Sequence, residues 1–178
     1  MQEIIDNSYP YQLVDTNPDH FKYSFVSSGI KEIPKRVSIR PVINNYYNLA
    51  FGDIKINENG EEYIDDKSRN ENKVDGDKIL CTALICSLDF LTRFDDKKIV
   101  FFGNTPAKHK LYKMRLCRKV SLLNQFLILK GAIIKNYKVK IDEEGYKIIE
   151  QINPDKIQYE IFDIKNSNRY NFITFEIY

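Results

Sequence analysis

Along residues 9–54 apolar and polar positions alternate in four short runs, YQLVD, FKYSFVSSG, IPKRVSIRPV and YYNLAFGDI. In the second run Phe21, Tyr23 and Phe25 fall on one parity and Lys22 and Ser24 on the other. A period of two belongs to a strand with one face buried and one wet, and half-solvated sheets are antiparallel. Pro34 and Pro41 bracket the third run, with Pro41 expected at a bend or an edge, and Gly29 and Gly52 mark turns. The period changes over residues 77–94. There Leu80, Leu84, Leu88, Leu91 and Phe94 recur every three or four positions, with Thr82, Asp89 and Arg93 on the opposite side, which predicts an amphipathic helix.

An apolar strand from Ile99 to Phe102 then runs into Gly103. Thr105 is a good helix cap and Pro106 fits a first helical position, so a second helix is predicted over 105–123. FLILKGAII reads as a buried strand broken at Gly131. The remaining tail contains three strand-like pieces separated by turns at EEG, NPD and NSN. Residues 55–77 are rich in carboxylates and poor in apolar groups, and are expected to form a mobile acidic loop. The expected fold is α+β, a curved antiparallel sheet with two helices packed on one face, in a single domain spanning 1–178. The other face is left to water or to a second copy of the chain.

With 178 residues and 43% apolar side chains, the chain can bury a core without disulfides or a structural metal, which excludes disorder throughout. Cys81, Cys86 and Cys117 make no CxxC pair, and with only His20 and His109 they supply no zinc framework. Cys81 and Cys86 read as packing residues of the first helix. The N-terminus has acids where a signal peptide needs cations, and no apolar stretch reaches the length of a membrane helix. A cytoplasmic protein with no membrane partner is expected. No Walker A, GxGxxG, HExxH or GxSxG element is present, and no cofactor or metal is expected.

Charge becomes informative only by segment. The net charge is +2, yet residues 97–140 hold 12 Lys plus Arg and no acid, which leaves the rest of the chain at −10. On a helical wheel Lys108, Arg115 and Lys119 fall within a sector of about 40°. Cations in a first helical turn oppose the helix dipole, a local conflict that an external anion would relieve. The candidate anion seat is the backbone of Gly103, Asn104 and Thr105 with Lys108 and Arg115. His109 is either a phosphate ligand or general acid there, or surface decoration. Cys117 lies eight residues on, about 12 Å along a helix, too far for a nucleophile pair.

Single-stranded nucleic acid needs rings for its bases as well as cations for its backbone. The first sheet offers Tyr23, Tyr46, Tyr47 and Phe51 beside Lys31, Lys35, Arg36 and Arg40. Phe21, Phe25 and Phe51 read as core, and one of the adjacent Tyr46 and Tyr47 should face outward. Arg36, Arg40 and Tyr47, with Tyr112 of the second helix, complete the candidate surface.

The segments YSFVSSG, YYNLAFGDI, DGDKILCTALICSLDFL, VFFGNTPAKHKLYKM and RYNFITFEIY resemble an uncharacterised family of small bacterial proteins known only as a domain of unknown function, from about residue 20 to residue 178. The resemblance is carried by Asn48, Leu49, Ala50, Phe51, Gly52 and Asp53, and by Gly103, Thr105, Lys110, Leu111 and Tyr112. Where the family shows arginines early in the helix, this chain has Lys108 and Lys110, which weakens bidentate phosphate recognition. The resemblance implies no activity. The order of three strands followed by a helix is loosely similar to the PUR and whirly single-strand-binding architectures.

The leading expectation is non-catalytic binding of nucleic acid, with Lys108, Arg115 and Lys119 on phosphates and Thr105 with the helix start taking one phosphate. Alternatives are a protein-interaction module, inhibitor- or antitoxin-like, whose basic face meets an acidic protein, and a small-anion or nucleotide-processing enzyme. A homodimer through the open sheet face is a further partner expectation. The nucleic-acid expectation requires Lys108 and Arg115 to be open to solvent and unpaired with the chain's own acidic segment.

Overall fold

In the computed structural model, which describes residues 2–17, 19–65 and 75–178, the alternation of β2 (His20–Ser28) is realised directly. Phe21, Tyr23 and Phe25 are buried on one side, while Lys22 and Ser24 point to the other. Before it come α1 (Gln2–Asp6) and the edge strand β1 (Tyr11–Asn17). After it come β3 (Glu32–Ile43), β4 (Tyr46–Ile56), β5 (Glu62–Asp65) and α2 (Gly76–Arg93). The second half contains β6 (Lys98–Phe101), α3 (Pro106–Cys117), α4 (Val120–Leu123), β7 (Leu127–Ile133), β8 (Tyr137–Ile141), β9 (Lys147–Ile152), β10 (Gln158–Ile161) and β11 (Phe172–Ile177).

Nine strands form one sheet in the order β1-β2-β3-β4-β6-β11-β7-β10, with β5 paired to β4. Among the described residues every pairing is antiparallel except β4 with β6, which is parallel through Tyr46↔Lys98 to Leu49↔Phe101. The expected curved, purely antiparallel sheet with two helices is therefore wrong in three respects. The sheet is mixed, it is neither closed nor strongly curled, and the described residues form four α-helices. The parallel pair arises because the chain returns through α2, and a parallel neighbour requires such a crossover where an antiparallel one needs only a turn. Helices α1 and α4 have five and four residues, too short to show a helical period. The predicted helix over 105–123 is divided at Arg118 and Lys119.

Two cores flank the sheet. On the helix side Phe21, Val37, Ile39, Leu49, Ile99 and Phe175 pack against Leu80, Leu84, Phe90 and Leu91 of α2. Thr82, expected on the wet side of α2, is fully buried. Its hydroxyl accepts from the Tyr9 N–H at 2.8 Å and donates to the Lys78 carbonyl, because the N-terminal segment packs over that side. On the second face Val100, Ala132 and Phe172 pack against Ile149 of the separate β8–β9 hairpin. The centre of the face expected to be open is thus covered. In the segment read as an acidic loop, residues 57–61 form the turn of the β4–β5 hairpin, with Gly60 at φ +81, and Gly76 and Asp77 start α2. Residues 66–74 lie outside the described residues.

Pro41 sits where the β3–β4 register shifts by one residue, consistent with its missing N–H. Among the described residues no helix is long and apolar enough to cross a membrane, a statement that leaves β-barrels aside.

Candidate functional site

The start of α3 is built from within. Thr105 has extended backbone (φ −125°), and its Oγ1 accepts from the Lys108 N–H at 3.2 Å, with Pro106 at the first helical turn as anticipated. His109 does not face solvent. Its Nδ1 accepts from the Gly103 N–H at 3.3 Å and its Nε2 lies 3.0 Å from the Tyr170 carbonyl, to which it donates. These partners define the neutral Nε2–H tautomer, and burial pushes the imidazole below its ordinary pKa. His109 therefore pins the helix start to the entry of β11. Gly103 is required by that contact, since a Cβ there would lie 2.2 Å from the His109 nitrogen. Of the backbone groups in the expected anion seat, the Gly103 amide is bonded within the chain, as is the Lys108 amide of the helix start.

The predicted cationic ridge faces protein. Arg115 Nε sits 3.0 Å from Asp77 Oδ1, and its guanidinium lies against Gly76, at the first turn of α2. Lys119 lies in the break between α3 and α4, beside the Cys81 thiol, and Lys108 is half-buried. Lys113 is buried and donates to the Ser167 carbonyl, and loss of hydration pushes its pKa down.

The outward side of α3 instead carries Ala107, Lys110, Leu111, Met114 and Arg118, all exposed. Leu111 is 40% and Met114 42% exposed. These positions share a sector of roughly 100° centred about 110° from the predicted ridge. Neither Lys110 nor Arg118 makes an ion pair among the described residues.

The sheet candidates are also engaged internally. Arg36 binds Glu62 at 2.8 Å. Arg40 binds Asp142 and, at 2.9 Å, Glu144, while Lys22 reaches the same Glu144 at 3.3 Å. With the Ile64 N–H donating to the Glu144 carbonyl at 2.8 Å, these pairs clasp the β8–β9 turn onto the sheet. Tyr47 packs on Phe90 and Tyr112 on Phe51 and Phe101, so both belong to the helix-side core. Tyr46 lies on the opposite face from Tyr47, half-buried against the second core. It stacks on Tyr159 at 6.5 Å between centroids, and the Tyr159 hydroxyl donates to its own at 2.9 Å.

One constellation has the form of a nucleophile, base and orienting acid. Ser38 Oγ lies 2.8 Å from His20 Nε2, and His20 Nδ1 lies 3.6 Å from Glu144 Oε1. The arrangement is not competent for general-base chemistry. Arg40 Nε donates to the same Nε2 at 2.7 Å, Ser38 is 1% exposed, and burial with the neighbouring Arg40 and Lys22 charges lowers the imidazole pKa to about 4. Burial likewise raises the thiol pKa values of Cys81 and Cys86. No cluster of three or more His, Cys, Asp or Glu side chains that could hold a metal occurs among the described residues.

Beyond the Leu49↔Phe101 pair β6 ends, and a cavity of about 20 Å³ opens there beside the middle of β4 and the start of α3. Phe51, Phe102, Asn104, Tyr112, Tyr146 and Lys147 line it. Asn104 and Tyr112 were candidates from the sequence. Tyr146 and Lys147 were not, nor were Asp142 and Glu144, because the DEEG stretch signals only a turn and its partners lie about a hundred residues away.

A mixed sheet with helices on one side and a hairpin clasped to the other defines an α+β protein. The family follows from comparison of sequences: residues 6–167 match the model of a family of unknown function (DUF6934), and the chain belongs to that family. No curated protein and no solved structure matches the chain, and nothing links it to the PUR or whirly architectures.

Proposed function

We propose that this protein is a non-catalytic interaction module that docks an acidic protein surface on the outward side of α3. The observation that carries the reading is the composition of that side. Leu111 and Met114 are held in solvent between Lys110 and Arg118, in a segment free of acids. Exposed apolar side chains rimmed by charge mark docking surfaces, and Met and Arg are enriched at interfaces. A helix presenting such a side fits a groove with an apolar floor, and carboxylates at the rim would pair with the two cations.

Single-stranded nucleic acid is the second reading, supported by the acid-free span 97–140 and by exposed Lys110, Arg118, Lys135 and Lys138. Its stacking component has less support, since Tyr47 and Tyr112 are core residues.

The test compares the wild-type chain with Leu111→Asp and with Lys110→Glu/Arg118→Glu. A purified partner, first found by affinity capture, should bind the wild type in calorimetry and lose at least tenfold in affinity with each variant, circular dichroism being unchanged. In parallel, a fluorescent single-stranded oligonucleotide is titrated by anisotropy. Affinity falling by orders of magnitude between about 50 and 200 mM salt would favour the nucleic-acid reading. Wild-type dimers in light scattering that dissociate in Leu111→Asp would make the partner a second copy.

A further inference from the structure

We infer that the crevice where β6 ends beside the middle of β4 is a binding site for one neutral, hydroxyl-sized group, and that in the free protein this group is an ordered water held by Tyr146 and Asn104.

Three observations converge on it. The parallel pairing of β4 with β6 stops at Leu49↔Phe101, where β6 ends while β4 runs on to Ile56. The cavity there measures about 20 Å³, and about 10–15 Å³ of such space suffices for one water molecule.

Its wall carries polar atoms that the protein leaves unanswered. Tyr146 is 2% exposed, and its hydroxyl has no hydrogen-bond partner of sound geometry among the described residues; the same holds for the buried Asn104 Oδ1. Ser38 lies close to the phenol, but its Oγ is engaged by His20 Nε2 at 2.8 Å and Arg40 Nε at 3.2 Å, and the phenol makes no bond of sound geometry to it. A buried hydroxyl or amide without a partner is destabilising, and such groups in native proteins are satisfied by protein or by ordered water.

The third observation is the chemistry of the set. Tyr146 offers an O–H donor, burial raising its pKa and keeping the phenol neutral. Lys147, whose ammonium donates to the Asn104 carbonyl at 3.0 Å, has two further N–H donors, and Asn104 Oδ1 is an acceptor. A group that accepts from Tyr146 or Lys147 and donates to Asn104 satisfies the set. Water does so with the two or three bonds typical of a buried site. A phosphate, even with a P–OH to donate, exceeds the space. Of the anion seat that the sequence points to, Asn104 alone lines this crevice, and its Oδ1 suits a neutral donor–acceptor group.

The test is a high-resolution crystal structure of the full chain, alone and under xenon pressure, together with Tyr146→Phe. One density peak within hydrogen-bond distance of Tyr146 Oη and Asn104 Oδ1 is expected in the wild type. It should be absent from Tyr146→Phe, which keeps the ring and the fold. Xenon filling the crevice of the wild type would show a dry apolar void and overturn the assignment. A direct Tyr146–Asn104 hydrogen bond with no peak between them would also overturn it, as would a peak that persists unchanged in Tyr146→Phe.

Discussion

Arg115 on α3 is paired with Asp77 on α2 at 3.0 Å, and this contact sets which side of α3 faces solvent. The guanidinium lies so close to Gly76 that a Cβ there would come within 2.2 Å of it. Together with buried Lys113 and the inward His109, it turns the cationic ridge toward protein and leaves Lys110, Leu111, Met114 and Arg118 outside.

Arg115→Ala is expected to lower stability by about 0.5–1 kcal/mol, the range for a partly exposed pair, and Asp77→Asn by a similar amount. The double variant should fall short of the sum, measured by urea denaturation, because both single variants break the same contact. Full additivity would show that the pair contributes nothing to holding α3 on α2.

Gly103→Ala places a methyl group onto the His109 backbone nitrogen. Backbone cannot yield there as a long side chain would, so a loss of about 2–3 kcal/mol or more is expected, with a raised hydrogen-exchange rate at the start of α3. A neutral effect would mean that the close approach of Gly103 to α3 is not kept in solution.

Arg40→Ala should be more damaging than the loss of an exposed surface pair. It leaves Asp142, whose side chain is 9% exposed, without its cation, and uncompensated buried charges typically destabilise by about 3–5 kcal/mol. Hydrogen exchange should show β8 and β9 loosening before the main sheet. Uniform loosening of both would contradict the clasp.

The same cluster makes stability depend on pH. His20 has a folded pKa near 4 against an ordinary 6.5, so between these values the unfolded chain binds more protons and stability falls as pH falls. Glu144 is held below the usual carboxylate range by Arg40, His20 and Lys22, against the opposing effect of its burial, and its contribution is lost in the same direction at lower pH. Urea midpoints measured from pH 7 to pH 4 should decline, and His20→Asn should flatten the upper part of the decline. An unchanged profile in that variant would remove His20 from the cluster's titration.

Much of the framework is legible along the chain. The period-two burial of Phe21, Tyr23 and Phe25, the helix through Leu80, Leu84 and Leu91, and the Thr105–Pro106 helix start are local events, set by side chains within a few residues of one another. The site was less legible. Arg36, Arg40 and Arg115 look like free cations in sequence because their carboxylates, Glu62, Asp142 and Asp77, lie 26, 102 and 38 positions away. The wheel placed Lys108, Arg115 and Lys119 on one ridge but carried no information on the azimuth of that ridge.

From the order of residues alone come the strands and the two longer helices, the charge imbalance of segment 97–140 and the family resemblance, since periodicity, capping and composition act over short distances. Tertiary structure decided the parallel entry of β6 beside β4, the hairpin laid over the second face, and the rotation of α3. Those choices depend on which distant groups meet, through burial of Ile149 against Phe172 and pairing of Arg115 with Asp77, and no local pattern contains that meeting.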